Sequence, residues 1–136
     1  MADLTYADVD AGVRRAIAGY TQALDDGRTD DVVATFCPDG AVDLGDLGRY
    51  SGHDELRTAY GRWIPQVPQR HLVLNTHITE WSDTEATAIS DLVFLLQLPD
   101  GWKVHLVGRY HDVLHEAHGT WRFHHRRAEL SAEPAP

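Results

Sequence analysis

Cysteine is almost absent from this chain of 136 residues. Cys37 stands alone, which excludes an internal disulfide and any zinc site built from several thiolates. Basic residues are also scarce: 12 lysines and arginines face 21 acids, for a formal charge of −9. That deficit argues against nucleic acid or an anionic membrane as a partner, because both need a basic footprint. Long apolar runs are missing. The longest, Leu92 to Leu96, falls far short of the about 20 residues that cross a bilayer. The N-terminal MADLTYADVD is acidic and has no apolar segment, so a cytoplasmic chain without a secretory leader is expected. There is no glycine-rich phosphate loop, P-loop or Gly-x-Ser-x-Gly elbow. No internal repeat occurs either, and the only biased stretch is the tail SAEPAP (131–136), expected to fray.

What is present fits one domain, expected over residues 1–130, with apolar residues at 43% and charged residues at 24%. A chain of this size buries about two-thirds of its unfolded surface, enough for a core and one enclosed pocket. From Asp8 to Asp26 apolar residues fall at Val9, Val13, Ile17, Tyr20 and Leu24, a helical period, and Gly27 supplies a stop. A short second helix follows over 29–36, with Thr29 or Asp30 at its N-cap, and FCPDG ends it. Residues 41–51 alternate around Gly45 and Gly48 as a hairpin. A third helix over 53–63 presents Leu56, Tyr60 and Trp63 on one face. Four long strands are then predicted over 70–81, 86–98, 102–116 and 121–130. The turn-like SDTE, PDG and AHG separate them as in an antiparallel meander. Helices first and strands last give an α+β fold, with helices on one face of a curved sheet.

The chemistry concentrates on the first long strand. His71, Val73, Asn75, His77 and Thr79 share one face, while Leu72, Leu74 and Ile78 share the other. The polar set either meets solvent or lines a cavity under the helices. On the next strand Asp91 lies with Ile89, Val93 and Leu95, opposite Leu92, Phe94 and Leu96. A carboxylate on a strand apolar on both sides needs a partner, and His71 or Asn75 can provide it, as a structural or a catalytic pair. Asp25 and Asp26 both end the first helix, and spacing alone does not choose between them. Tyr20 lies on the apolar stripe, its hydroxyl free to bond in the core or reach a pocket. A metal site is not expected. His111, His115 and His118 sit on a strand, where four residues separate rings by roughly 13 Å, and the adjacent His124 and His125 point to opposite faces. Cys37 reads as a small buried filler. Strands 86–130 have apolar character on two sides, so a homodimer or higher homo-oligomer is expected, unless Arg109, His111, Arg126 and Arg127 make that face polar.

Taken in order, Tyr20-TQAL-Asp25, FCPDG, SGHDEL, RHLVLNTHI, GRYHD and GTWRF resemble the SnoaL-like branch of the NTF2-like superfamily over residues 8–130. The resemblance implies a cone in which a bent sheet wraps the long first helix around an apolar pocket. In dehydratase-like members an Asp ending helix one pairs with a His opening the first long strand, matching Asp25 and His71. The bile acid dehydratase pattern adds a Tyr matching Tyr20 and an Asp whose counterpart is Asp91. Asn75 matches a polar pocket position of a dehydrochlorinase. Three departures stand out. Scytalone dehydratase has a Tyr where Leu24 stands and a second His near Leu96, and the dehydrochlorinase has a base at Tyr20, which argues against halide elimination. The expectation is an acid–base enzyme without cofactor or metal, most simply a dehydratase, acting on a small hydrophobic hydroxy or keto substrate. Its catalytic residues would be Asp25, His71, Tyr20 and Asp91, with Asn75, Tyr50, Trp63, Phe94 and Tyr110 binding substrate. A cyclase, an isomerase or a non-catalytic ligand-binding or dimerisation domain are the alternatives.

Overall fold

Thr5 sets the start of the first helix. Its hydroxyl accepts from the Asp8 N–H at 3.2 Å while the Asp8 carboxylate accepts from the Thr5 N–H at 2.9 Å, a reciprocal cap. A computed structural model describes residues 3–131, and in it helix α1 runs Tyr6–Asp25. It buries Val9, Val13, Ile17, Tyr20 and Leu24, the stripe its spacing predicts. Gly27, at φ +72°, turns the chain out of the helix. No helix among the described residues is long and apolar enough to cross a membrane.

Helix α2 is Thr29–Ala34, two residues shorter than expected. FCPDG is not a turn but the opening of strand β1, Phe36–Asp43. The reason is tertiary: the Phe36 ring packs against Tyr20, Tyr60 and Phe123, and the strand pairs with the last strand of the chain. A 3-10 turn at Gly45–Leu47 leads to β2, Arg49–Ser51, which completes the expected hairpin with β1. Helix α3 is Gly52–Gly61, and the strands β3 (Gln69–Trp81), β4 (Glu85–Leu98), β5 (Gly101–Ala117) and β6 (Thr120–Leu130) follow. The sheet order is β2-β1-β6-β5-β4-β3. β3 to β6 form the antiparallel meander, and β1 lies parallel to β6, making the open six-stranded sheet mixed. Ser131 donates its N–H to the Val107 carbonyl at 2.9 Å; residues 132–136, the rest of the tail expected to fray, lie outside the described residues.

Two one-residue irregularities decide which side chains face the helices. On β3 the pairing with β4 shifts between Leu74 and His77, and Asn75 there has φ +56°. Before this bulge the odd residues His71 and Val73 face inward, leaving Leu72 and Leu74 exposed; after it Ile78 is buried. On β6 the pairing with β5 skips His124, and Arg126 turns inward. Arg126 is therefore not on the polar outer face expected from strand alternation. It is fully buried, with Nε 2.8 Å from Asp112 Oδ1 and Nη2 3.2 Å from Oδ2. Its guanidinium carbon lies 3.5 Å from the Tyr110 ring centre and 4.4 Å from those of Tyr20 and Phe123. Ionic and cation–π contacts thus replace water around one charge. Burial alone would depress the guanidinium, but Asp112, Tyr110 and Tyr20 outweigh it and hold the group above its ordinary value.

Removing one partner of such a pair strands a charge in the interior. Asp112→Ala is expected to cost about 3–5 kcal/mol of stability in chemical denaturation. Adding Arg126→Met to that variant is expected to restore part of the loss, because it removes the stranded charge.

Candidate active site

The last residue of α1 and the opening of β3 meet through one carboxylate. Asp25 Oδ1 lies 2.6 Å from His71 Nδ1 and accepts from Gln69 Nε2 at 3.1 Å, while Oδ2 accepts the His71 backbone N–H at 2.8 Å. The helix phase that left Asp25 and Asp26 equivalent is resolved by this contact. The Asp25 side chain is 6% exposed, whereas Asp26 reaches outward to Arg28. His71 is 11% exposed, and its ring stacks on Phe94 at 4.1 Å with 22° between planes. With Nδ1 committed to Asp25, Nε2 has no hydrogen-bond partner among the described residues.

His71 stands in the wall of a cavity of about 240 Å³. One side of it is formed by Leu92, Phe94, Leu106 and Tyr110 of the sheet; the other by Tyr20 and Leu24 of α1 with Tyr60 and Trp63. His105 and Gln69 stand in the same wall. The space is mostly apolar with a few converging polar groups, at the small end of ligand pockets. At its floor the Tyr20 and Tyr60 hydroxyls lie 2.6 Å apart.

Of the residues singled out from the sequence, Asp25, His71, Tyr20, Trp63, Phe94 and Tyr110 gather here. Three others do not. Asp91 is on the opposite face of the sheet, 2.9 Å from Arg109 Nε and accepting from Asn75 Nδ2 at 3.0 Å, so of the two partners the sequence offered it takes Asn75 and not His71. The β3 bulge carries Asn75 out of the cavity with it. Tyr50 packs behind the wall, its ring 5.8 Å from Trp63 and its hydroxyl donating to the Leu47 carbonyl. Tyr60, Gln69 and His105 were not anticipated. Tyr60 was legible as part of the apolar face of α3. Gln69 had no signal beyond adjacency to His71, and His105 is the extra residue of a β5 bulge, invisible to period-two reading.

The SnoaL-like domain family model matches residues 6–127. The chain belongs to the SnoaL-like family. Solved structures show the same NTF2-like, cystatin-like fold. A Nostoc punctiforme protein of unknown function with a cystatin-like fold superposes with a TM-score of 0.85 at 23% identity, over 97% of each chain. A variant of a Mycobacterium tuberculosis protein of unknown function gives 0.84 at 24% identity, over 93% of this chain and 76% of its own. A provisionally assigned scytalone dehydratase from Novosphingobium aromaticivorans gives 0.78 at 21%, over 90% of this chain and 84% of its own. No curated protein matches the sequence.

In this SnoaL-like domain the cavity floor is held in its neutral form. Burial pushes the Tyr20 and Tyr110 phenols up and Tyr60 well up, Tyr20 adding to the effect at Tyr60; Arg126 pulls the other way at all three. The folded state therefore keeps protons that the unfolded chain releases above pH about 10. The stability this contributes is complete below that pH and is lost as pH rises towards the folded-state values. Ultraviolet titration is expected to show Tyr20, Tyr60 and Tyr110 silent in the folded protein, ionising only as it unfolds. Ionisation of all five tyrosines before near-ultraviolet circular dichroism is lost would contradict this.

Proposed function

We propose that this SnoaL-like protein is an acid–base enzyme that eliminates water from a small, largely apolar hydroxy-carbonyl compound. The observation that carries the reading is the 2.6 Å contact between His71 Nδ1 and Asp25 Oδ1 in the cavity wall. With Nδ1–H donated to Asp25, the lone pair of the neutral ring sits on Nε2, the nitrogen without a partner among the described residues. His71 Nε2 removes the proton next to the carbonyl. Asp25 fixes the tautomer and stabilises the imidazolium that forms, the orienting role a carboxylate has in a Ser-His-Asp triad.

Tyr20 and Tyr60 share one hydrogen bond between two hydroxyls, so one proton remains to donate to a ligand oxygen. That donation stabilises the enolate or the departing hydroxyl in a site with little water. The proton taken from carbon returns from His71 to the leaving hydroxyl, a carbon–carbon double bond forms, and water departs. Leu92, Phe94, Leu106 and Trp63 would hold the carbon skeleton and set its size. The same first step serves a double-bond shift or an intramolecular ring closure, and the substrate's leaving group decides among them.

The test is a panel of small β-hydroxy ketones, followed by the ultraviolet absorbance of the enone product. Turnover by the wild-type chain is expected to fall about 10²–10⁴-fold in His71→Asn and Asp25→Asn, with circular dichroism unchanged. Equal turnover in the folded variants would remove His71 from the mechanism. Saturable binding of the panel without turnover would instead make this a ligand-binding domain.

A further inference from the structure

On the side of the sheet away from the cavity, three donors of metal-ligating type converge. Cys37 Sγ and one ring nitrogen each from His115 and His124 all lie within 4.8 Å of one another. Strand periodicity separates His115 from the histidines of its own strand and His124 from His125, and relates neither to Cys37; two backbone irregularities bring the three together. Between Phe36↔Phe123 and Ala41↔His125, five steps along β1 face two along β6, so the segment Cys37–Gly40 arches over the strand. At the same level β6 carries one residue more than β5, and that residue is His124. Coincident bulges that re-aim side chains are a recurring device at functional sites.

The surroundings match a cation. His124 Nδ1 is buried without a hydrogen bond among the described residues, 3.7 Å from Asp39 Oδ1. His115 Nε2 lies 2.9 Å from Glu85 Oε2, the outer carboxylate that orients metal-bound imidazoles and leaves Nδ1 with the lone pair. The Cys37 thiol donates to the Arg122 carbonyl at 3.7 Å; burial and then Asp39 push it above its ordinary value, with Arg122 pulling the other way. Asp39 and Glu85 thus bring a carboxylate to each of the two imidazoles, negative charge that a cation would meet.

We propose that Cys37, His115 and His124 bind a divalent transition-metal ion of the zinc type, with Asp39 reaching the fourth position. A tetrahedral zinc site has donors about 3.4 Å apart, so donors that now lie within 4.8 Å of one another must close by up to about 1.4 Å. The two imidazoles stack at 4.2 Å with 12° between planes, and in that pose their in-plane lone pairs run side by side. Closure therefore turns one ring, and both side chains have the room, His115 at 37% and His124 at 38% exposed. The bound ion would pin the parallel strand β1 to β5 and β6, so that its binding free energy adds to folding. None of its ligands lines the cavity, so the site stands or falls independently of the proposed elimination.

The experiment uses the full chain freed of metal by chelation and titrated with Co²⁺, with Zn²⁺ as competitor. One cobalt per chain is expected, giving a thiolate-to-cobalt charge-transfer band and the intense visible bands of a tetrahedral ion, all displaced by zinc. Zinc is also expected to raise Tm. Cys37→Ser is expected to lose the charge-transfer band, and Asp39→Asn to weaken cobalt binding about 10–100-fold. If Cys37→Ser does not fold, His124→Gln carries the test, with tetrahedral cobalt binding lost. Absence of the charge-transfer band at stoichiometric cobalt, or a band that survives in folded Cys37→Ser or His124→Gln, overturns the proposal.

Discussion

A single guanidinium organises the interior. Arg126 and Asp112 are both withdrawn from water, and such a pair is tolerated only where geometry and surrounding groups replace the lost hydration. Here a two-point contact does so on one side and three aromatic faces on the other. Those faces come from α1, β5 and β6, so satisfying one charge sets how the long helix sits over the sheet. Tyr20, which supplies one face, also carries the hydroxyl that meets Tyr60 of α3. The buried charge and the cavity thus share walls, since Tyr20 and Tyr110 face both.

Asp25 is the second point at which helix and sheet are tied. Its two oxygens engage a backbone N–H, an imidazole and an amide, so the carboxylate holds the start of β3 in place and fixes the His71 ring. Phe94, directly across from His71 on β4, restricts that ring further by stacking on it. A group locked from two directions before any ligand arrives is what preorganised proton transfer requires. The bonds by which Asp25 closes the fold are the same ones that would orient His71 in the proposed reaction.

The two faces of the sheet divide the labour. Inward, the row His71, Phe94 and Leu106 borders the cavity. Outward, Leu72, Val93 and Val107 form the corresponding apolar row, with Leu74 and Val104 also exposed beside it. Next to that row Asn75, Asp91 and Arg109 bond to one another rather than to anything in the cavity. Farther along the same face lie Cys37, His115 and His124.

Much of this was legible in the residues. The α1 stripe, the short second helix, the hairpin around Gly45 and Gly48 and all four long strands come from local periodicity and turn residues, which report how a segment meets its own neighbours. The pairing of Asp25 with His71 was also available, through resemblance, although helix spacing left Asp25 and Asp26 equivalent. What local pattern could not carry is any feature set by a one-residue offset between strands. The bulges at Asn75 and His124, the parallel placement of β1 and the extra residue at His105 arise where packing across the sheet outweighs regular pairing. Each offset reverses the sense of in and out for the rest of its strand, because side-chain direction in a strand alternates with every residue. So composition and period by themselves determined which elements form and in what order. Only the assembled sheet decided that Asp91 and Asn75 lie outside, that Arg126 lies at the centre, and that Cys37 keeps company with two histidines.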